Sequence, residues 1–214
     1  MTYAQDERAA LAALLDETGP DAPTLCAGWQ TGDLAAHLVV RERRPDSAVG
    51  MAGGPLAAYT AHLLRQYRNR HSYADLVGLF RSGPPLLSPL AIPAADAAAN
   101  TVEYFVHYED VRRAAPDWSE RELDAGLSEQ LWKQLKLARL LLRSAPTGVV
   151  LAREEGGKLD LIVARSASPS VTVTGTPAEL TLWSMGRVRG ARVTLDGPDE
   201  AVASLRAWRA RGSG

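Results

Sequence analysis

A chain of 214 residues that is 46% hydrophobic is long enough to bury a substantial core, as one large domain or as a main domain with a smaller one. Its 24 basic and 25 acidic residues give a formal net charge of -1, so no general positive field exists to hold nucleic acid. The single cysteine excludes an internal disulfide, no run approaches the roughly 20 apolar residues of a membrane span, and the acidic, polar start is unlike a secretory signal. The expectation is a cytoplasmic protein with neither a nucleic-acid nor a membrane partner.

Ala4 to Glu17 is expected to form a first helix with Leu11, Leu14 and Leu15 as its apolar stripe, stopped by Gly19-Pro20. A short loop from Asp21 to Trp29 leads to a second helix beginning at Thr31, with Asp33 in its first turn where free amides favour negative charge. Asp33 and His37 are four residues apart, which leaves Asp33 two readings: a helix cap, or the acceptor for the second ring nitrogen of His37. Cys26 is read first as a small buried hydrophobe, with a position facing a site as the minor alternative. Arg41 to Arg44 closes this helix before Pro45, either as a solvated end or as an anion clamp in which Arg41 stands nearest to His37.

A third helix is expected from Leu56 to Arg70, carrying His62 among arginines that suit a wet face, and a further helical segment from Tyr73 to Phe80. A proline-rich linker follows, and a long helix starts near Ala94 or Asp96. Glu103 and His107 on that helix are four apart, hence on one face about one turn apart, and Val102, Phe105, Val106 and Val111 bury part of it. The pair offers two metal ligands. His37, on the inner side of another amphipathic helix, is the best candidate for the third, and His62 is its rival. A His2Glu set leaves coordination positions for water or substrate, which is the arrangement of catalytic metals. Asn100 precedes Glu103 by three and Asp110 follows His107 by three, so both can support the same face, Asp110 as hydrogen-bond partner or labile fourth ligand.

Beyond Pro116, Ser119 and Glu122 have the spacing of a capping box, and the apolar periodicity through Leu127, Leu131, Trp132, Leu135, Ala138 and Leu141 extends a helix to Arg143, expected to pack on the bundle. The pattern changes at Pro146. Val149 to Ala152, Leu159 to Val163, Ser170 to Val173 and Ala191 to Leu195 are strand-like. Thr176-Pro-Ala-Glu marks a helix start, and Pro198 to Arg209 a last helix. The expected fold class is α plus α/β: a helical domain over 1–145 and a small α/β domain over 146–214.

Two motifs carry a resemblance. Trp-x-x-x-Asp-Leu-x-x-His over 29–37, preceded by Cys26-Ala-Gly28, together with Glu103-x-x-x-His107 followed by Tyr-Glu-Asp-Val-Arg-Arg113, resembles the DinB-like metal-binding superfamily and, within it, the group related to mycothiol-dependent maleylpyruvate isomerases. The resemblance implies a DinB-like four-helix bundle holding a divalent metal through His37, Glu103 and His107, with a small C-terminal domain after it. It also implies that Leu182-Trp-Ser-Met-Gly-Arg187 corresponds to a Gly-Arg motif whose arginine reaches a substrate carboxylate or the thiol cofactor.

The chemistry implied is that of a divalent metal, zinc before nickel or iron, with mycothiol as a second cofactor and an electrophilic, anionic small molecule as substrate. Arg187, Arg41 and Asp110 are then the catalytic candidates, Asn100 and Arg187 those on the cofactor side, and Asp33 and Asp110 the residues that orient ligands. A metal-dependent hydrolase using water and a non-enzymatic metal- or ligand-binding protein are the alternatives. A monomer and a homodimer are both compatible with the sequence.

Overall fold

The computed structural model describes residues 2–44, 46, 57–85 and 93–211. The proline-rich linker expected beyond 85 lies outside these residues. The chain forms two compact units, Met1–Trp118 and Ser119–Gly214.

The first unit is a helical bundle. Among the described residues its helices are α1 (Tyr3–Thr18), α2 (Thr31–Arg43), α3 (Ala57–Arg70), α4 (Tyr73–Arg81) and α5 (Pro93–Arg112), four of them long and α4 short. Local chemistry sets the ends. Thr2 and Gln5 form a capping box on α1, as do Ser72 and Asp75 on α4, each satisfying two amides that the first turn leaves unbonded. Leu11, Leu15, Leu34, Leu38, Leu76, Phe80 and Tyr104 meet in the core. α1 packs along α5, while α2 packs against α3 and α4.

The core of this bundle also holds charge. Arg8, on the apolar stripe between Ala4 and Leu11, donates to Glu42 Oε1 at 3.2 Å, to Asp96 Oδ1 at 3.0 Å and to the Tyr104 hydroxyl at 3.0 Å. One guanidinium thereby joins α1, α2 and α5. Burial raises the Glu42 carboxyl above its ordinary range, against the hydrogen bonds from Tyr104 and Arg8.

The second unit begins earlier than the boundary at 145 expected from the sequence. Ser119 and Glu122 do not cap a helix. α6 (Ala125–Gln134) starts instead from Asp124, whose carboxylate accepts the Gly126 and Leu127 amides at 2.9 and 3.1 Å. A 3-10 turn over Leu135–Leu137 leads into the short α7 (Ala138–Leu141), so the single long helix expected here is broken. These segments pack on the sheet of the second unit, because Trp132, Leu135, Ala138 and Leu142 share a core with Val149, Leu151, Val171 and Val173.

The sheet comprises β1 (Gly148–Glu155), β2 (Lys158–Arg165), β3 (Ser170–Thr174) and β4 (Thr194–Asp196), in the order β2-β1-β3-β4. β1 and β2 form an antiparallel hairpin turning at Gly156 and Gly157, both at positive φ, as a two-residue turn matched to strand twist requires. β3 runs parallel to β1, and β4 antiparallel to β3. α8 (Pro177–Ser184), capped by Thr176, and α9 (Asp199–Arg211) complete the core through Leu180, Trp183, Ala201 and Leu205. Leu159, Leu161 and Val163 occupy alternate positions of β2 and remain exposed. No helix among the described residues is long and apolar enough to cross a membrane.

Candidate metal centre

The site is built by α2, α5 and the loop between α1 and α2. That loop is pinned on both sides: Thr31 N donates to Ala22 O, and Leu25 N donates to the backbone oxygen of Asp110 on α5, each at 3.0 Å. The Thr24 hydroxyl, which donates to Trp29 O at 2.9 Å, shapes the turn between them. The loop therefore delivers Cys26 to Asp110 and Trp29 to His37, whose rings lie 5.1 Å apart between centroids.

On α5 the four-residue spacing performs as the helix period requires. His107 Nε2 lies 3.2 Å from Glu103 Oε1, and His37 Nε2, arriving from α2, lies 3.2 Å from the same oxygen. The donor atoms of His37, Glu103 and His107 all fall within 4.8 Å of one another. Two donors each about 2.0–2.2 Å from a tetrahedral zinc would stand roughly 3.3–3.5 Å apart, so this set has the spacing and the chemistry of a divalent-metal site. His62 lies exposed on α3 and is not a member of the set.

Asp110, fully buried, sits behind His107. Its Oδ2 accepts from His107 Nδ1 at 2.9 Å and from the Cys26 thiol at 3.2 Å. A carboxylate only accepts, so the proton of this bond resides on Nδ1 and Nε2 is turned toward Glu103. Cys26, His107 and Asp110 form a second group whose potential ligand atoms lie within 4.8 Å of one another, sharing His107 with the first.

Arg41 lies beside Glu103, with Nε 3.2 Å from Oε1, and its Nη1 donates to Asn100 Oδ1. Asn100 is fully buried and donates through Nδ2 to Asp96 Oδ1 at 2.7 Å. Of its two readings, Asp33 takes the cap: Oδ2 accepts the Gln30 amide at 3.1 Å, and Oδ1 stands 3.9 Å from Arg68 Nε. The other reading, a bond to His37, gives way because an acidic residue at the third helical position reaches back to the first free amide more directly than forward along the helix. Arg187 belongs to the second unit, where its guanidinium donates to Met185 O at 2.7 Å in the turn after α8.

Electrostatics divide the three donors. Burial lowers the His37 pKa below its ordinary value, keeping this imidazole neutral. Burial opposes ionisation of Glu103, but hydrogen bonds from His107 and His37 outweigh it and hold the carboxyl well below its usual range. For His107, burial disfavours the imidazolium, yet bonds to Asp110, Cys26 and Glu103 prevail and hold its pKa well above the usual value.

Sequence reasoning ranked one feature too low and missed another. Cys26 takes its minor reading and faces the site, because its thiol donates to Asp110 Oδ2 at 3.2 Å. The buried network of Arg8, Glu42, Asp96 and Tyr104 left a fainter signal: charged residues at the apolar spacing of α1 and α2.

A helical bundle that brings a histidine of one helix onto a Glu-x-x-x-His pair of another defines a DinB-like domain with a candidate metal centre. The model of the mycothiol maleylpyruvate isomerase N-terminal domain matches residues 2–112, the run from α1 to α5, and the chain belongs to that family. No curated protein and no solved structure gives a significant match.

Proposed function

We propose that this protein is a metal-dependent enzyme of the thiol-using isomerase or S-transferase type, acting in the cytoplasm on a small electrophilic, anionic substrate with mycothiol as co-reactant. The observation that carries the metal is the convergence of His37 Nε2 and His107 Nε2 on Glu103 Oε1, each at 3.2 Å, in a set whose ligand atoms all lie within 4.8 Å of one another. The family match to a mycothiol maleylpyruvate isomerase domain supports the thiol.

His37, Glu103 and His107 would hold the ion, and zinc suits two imidazoles and a carboxylate without redox control. A divalent ion there would supply a Lewis acid that favours the deprotonated form of a bound thiol or water at neutral pH. The chain's own residues prepare that position. Asp110 holds His107 by its Nδ1 proton, burial keeps His37 neutral, and Arg41 lies against Glu103 so that its charge is maintained.

Elemental analysis of the wild type beside H37A, E103A and H62A tests the metal. Loss in the first two variants with retention in H62A is expected, and equal metal in all would refute the reading. Titration of the cobalt-substituted protein with mycothiol then tests the co-reactant through a sulfur-to-metal charge-transfer band. A spectrum unchanged at saturating thiol, with equal hydrolytic turnover in its presence and absence, would replace the transferase by a hydrolase.

A further inference from the structure

We propose that Asn100 is a positioning residue of the metal centre: it fixes the guanidinium of Arg41, which in turn fixes the carboxylate of Glu103. The inference rests on the reading of His37, Glu103 and His107 as metal ligands and assigns what holds one of them in place.

Both ends of the Asn100 amide are committed. Oδ1 accepts from Arg41 Nη1, and Nδ2 donates to Asp96 Oδ1 at 2.7 Å. Exchanging the two ends would set an NH2 against a guanidinium and a carbonyl against a carboxylate, so the neighbours impose one orientation. Asp96 is itself held by Arg8 Nη2 at 3.0 Å, and the same Arg8 atom grips Glu42, the residue after Arg41 on α2, at 3.2 Å. A continuous polar chain therefore runs from Arg8 on α1 through Asp96 and Asn100 on α5 to Arg41 on α2, and ends 3.2 Å away on Glu103 Oε1.

Asn100, Asp96 and Arg8 are all buried, so the chain is anchored inside the bundle and not at its surface. Arg41 can serve as its last link because a planar guanidinium addresses two directions at once, Nε toward Glu103 and Nη1 toward Asn100. An ammonium keeps the charge without that fork. In this role Arg41 serves the ligand Glu103 and not a substrate anion, and Asn100 needs no contact with any cofactor.

The test is a charge-conserving double-mutant cycle on zinc affinity, measured by competition with a chromogenic chelator. Asn100→Leu removes the amide, Arg41→Lys keeps the charge while removing the fork, and neither changes the electrostatic repulsion of the incoming ion. Each single variant is expected to bind zinc about 10-fold more weakly, the low end of losses seen when groups supporting a ligand are removed. The double variant should also lose about 10-fold, since both changes cut the same chain. Wild-type affinity in N100L, or losses that multiply to about 100-fold in the double variant, would overturn the proposal. Where N100L lacks the wild-type helical circular dichroism, Asn100→Ala removes the same two groups without added bulk and is read in the same way. H37A and E103A are measured alongside. Wild-type zinc affinity in those two would overturn the metal reading itself, whereas loss there with undiminished binding in N100L would overturn this inference alone.

Discussion

His107 and Asp110 are joined by a 2.9 Å bond between Nδ1 and Oδ2, and that bond decides which nitrogen of the imidazole faces Glu103 and His37. Without it the ring could present either nitrogen. Asp110→Asn keeps the size and one acceptor but loses the charge that anchors the proton. Zinc affinity should fall about 10- to 100-fold in D110N, with helical content unchanged, in chelator competition.

The proton on His107 also sets a pH dependence. In the metal-free protein its pKa is held well above the ordinary 6.5, so at neutral pH the imidazolium must lose a proton before Nε2 can act as a ligand. Apparent zinc affinity should therefore rise with pH, by about tenfold per unit while His107 is mainly protonated. Isothermal titration in buffers of different ionisation enthalpy should show release of about one proton per ion at pH 7.

Stability of the metal-free protein should run the opposite way. A base whose folded pKa is raised binds protons more tightly when folded, so its contribution is fully present below about pH 6.5 and is lost as pH rises through the folded value. Glu103, with its folded pKa lowered, contributes above its unfolded value near 4.5 and loses that contribution in acid. His37, with its folded pKa lowered, costs stability as pH falls below 6.5, so melting temperatures in excess chelator should peak near pH 6.5, declining above it through His107 and below it first through His37 and then, below 4.5, through Glu103.

Arg8 has two buried carboxylates as partners, Glu42 and Asp96. Arg8→Met leaves both without that cation and should destabilise the bundle by about 3–5 kcal/mol, the cost of breaking one side of a buried ion pair. Urea denaturation of the chelator-treated protein, followed by circular dichroism, measures it. A loss within the ±0.5 kcal/mol of ordinary surface changes would show that the network contributes little.

Where the units divide has a practical consequence. A fragment of residues 1–118 should be folded and should bind zinc, because the core formed by Leu11, Leu34, Phe80 and Tyr104 is complete within it. A fragment ending at Ser144 retains Trp132, Leu135 and Leu142 without the sheet they pack on, and should associate. Size-exclusion chromatography of the two fragments decides between this division and one near residue 145.

Features that depend on neighbours along the chain are written in residue order. Glu103 and His107 share a face because the helix repeats every 3.6 residues, and Asp110 reaches Nδ1 of His107 for the same reason. Thr176 and the Gly156-Gly157 turn likewise carry their geometry in their own residue types. Tertiary structure decided what depends on packing. His37 joins Glu103 only because α2 meets α5, and α6 turned to the sheet because an apolar stripe specifies that it be buried but not against which partner. Hydrophobic burial is non-directional, whereas helix periodicity and hydrogen-bond geometry are directional; the shared face of Glu103 and His107 on α5 was therefore legible in sequence, and the chain from Arg8 to Glu103 was not.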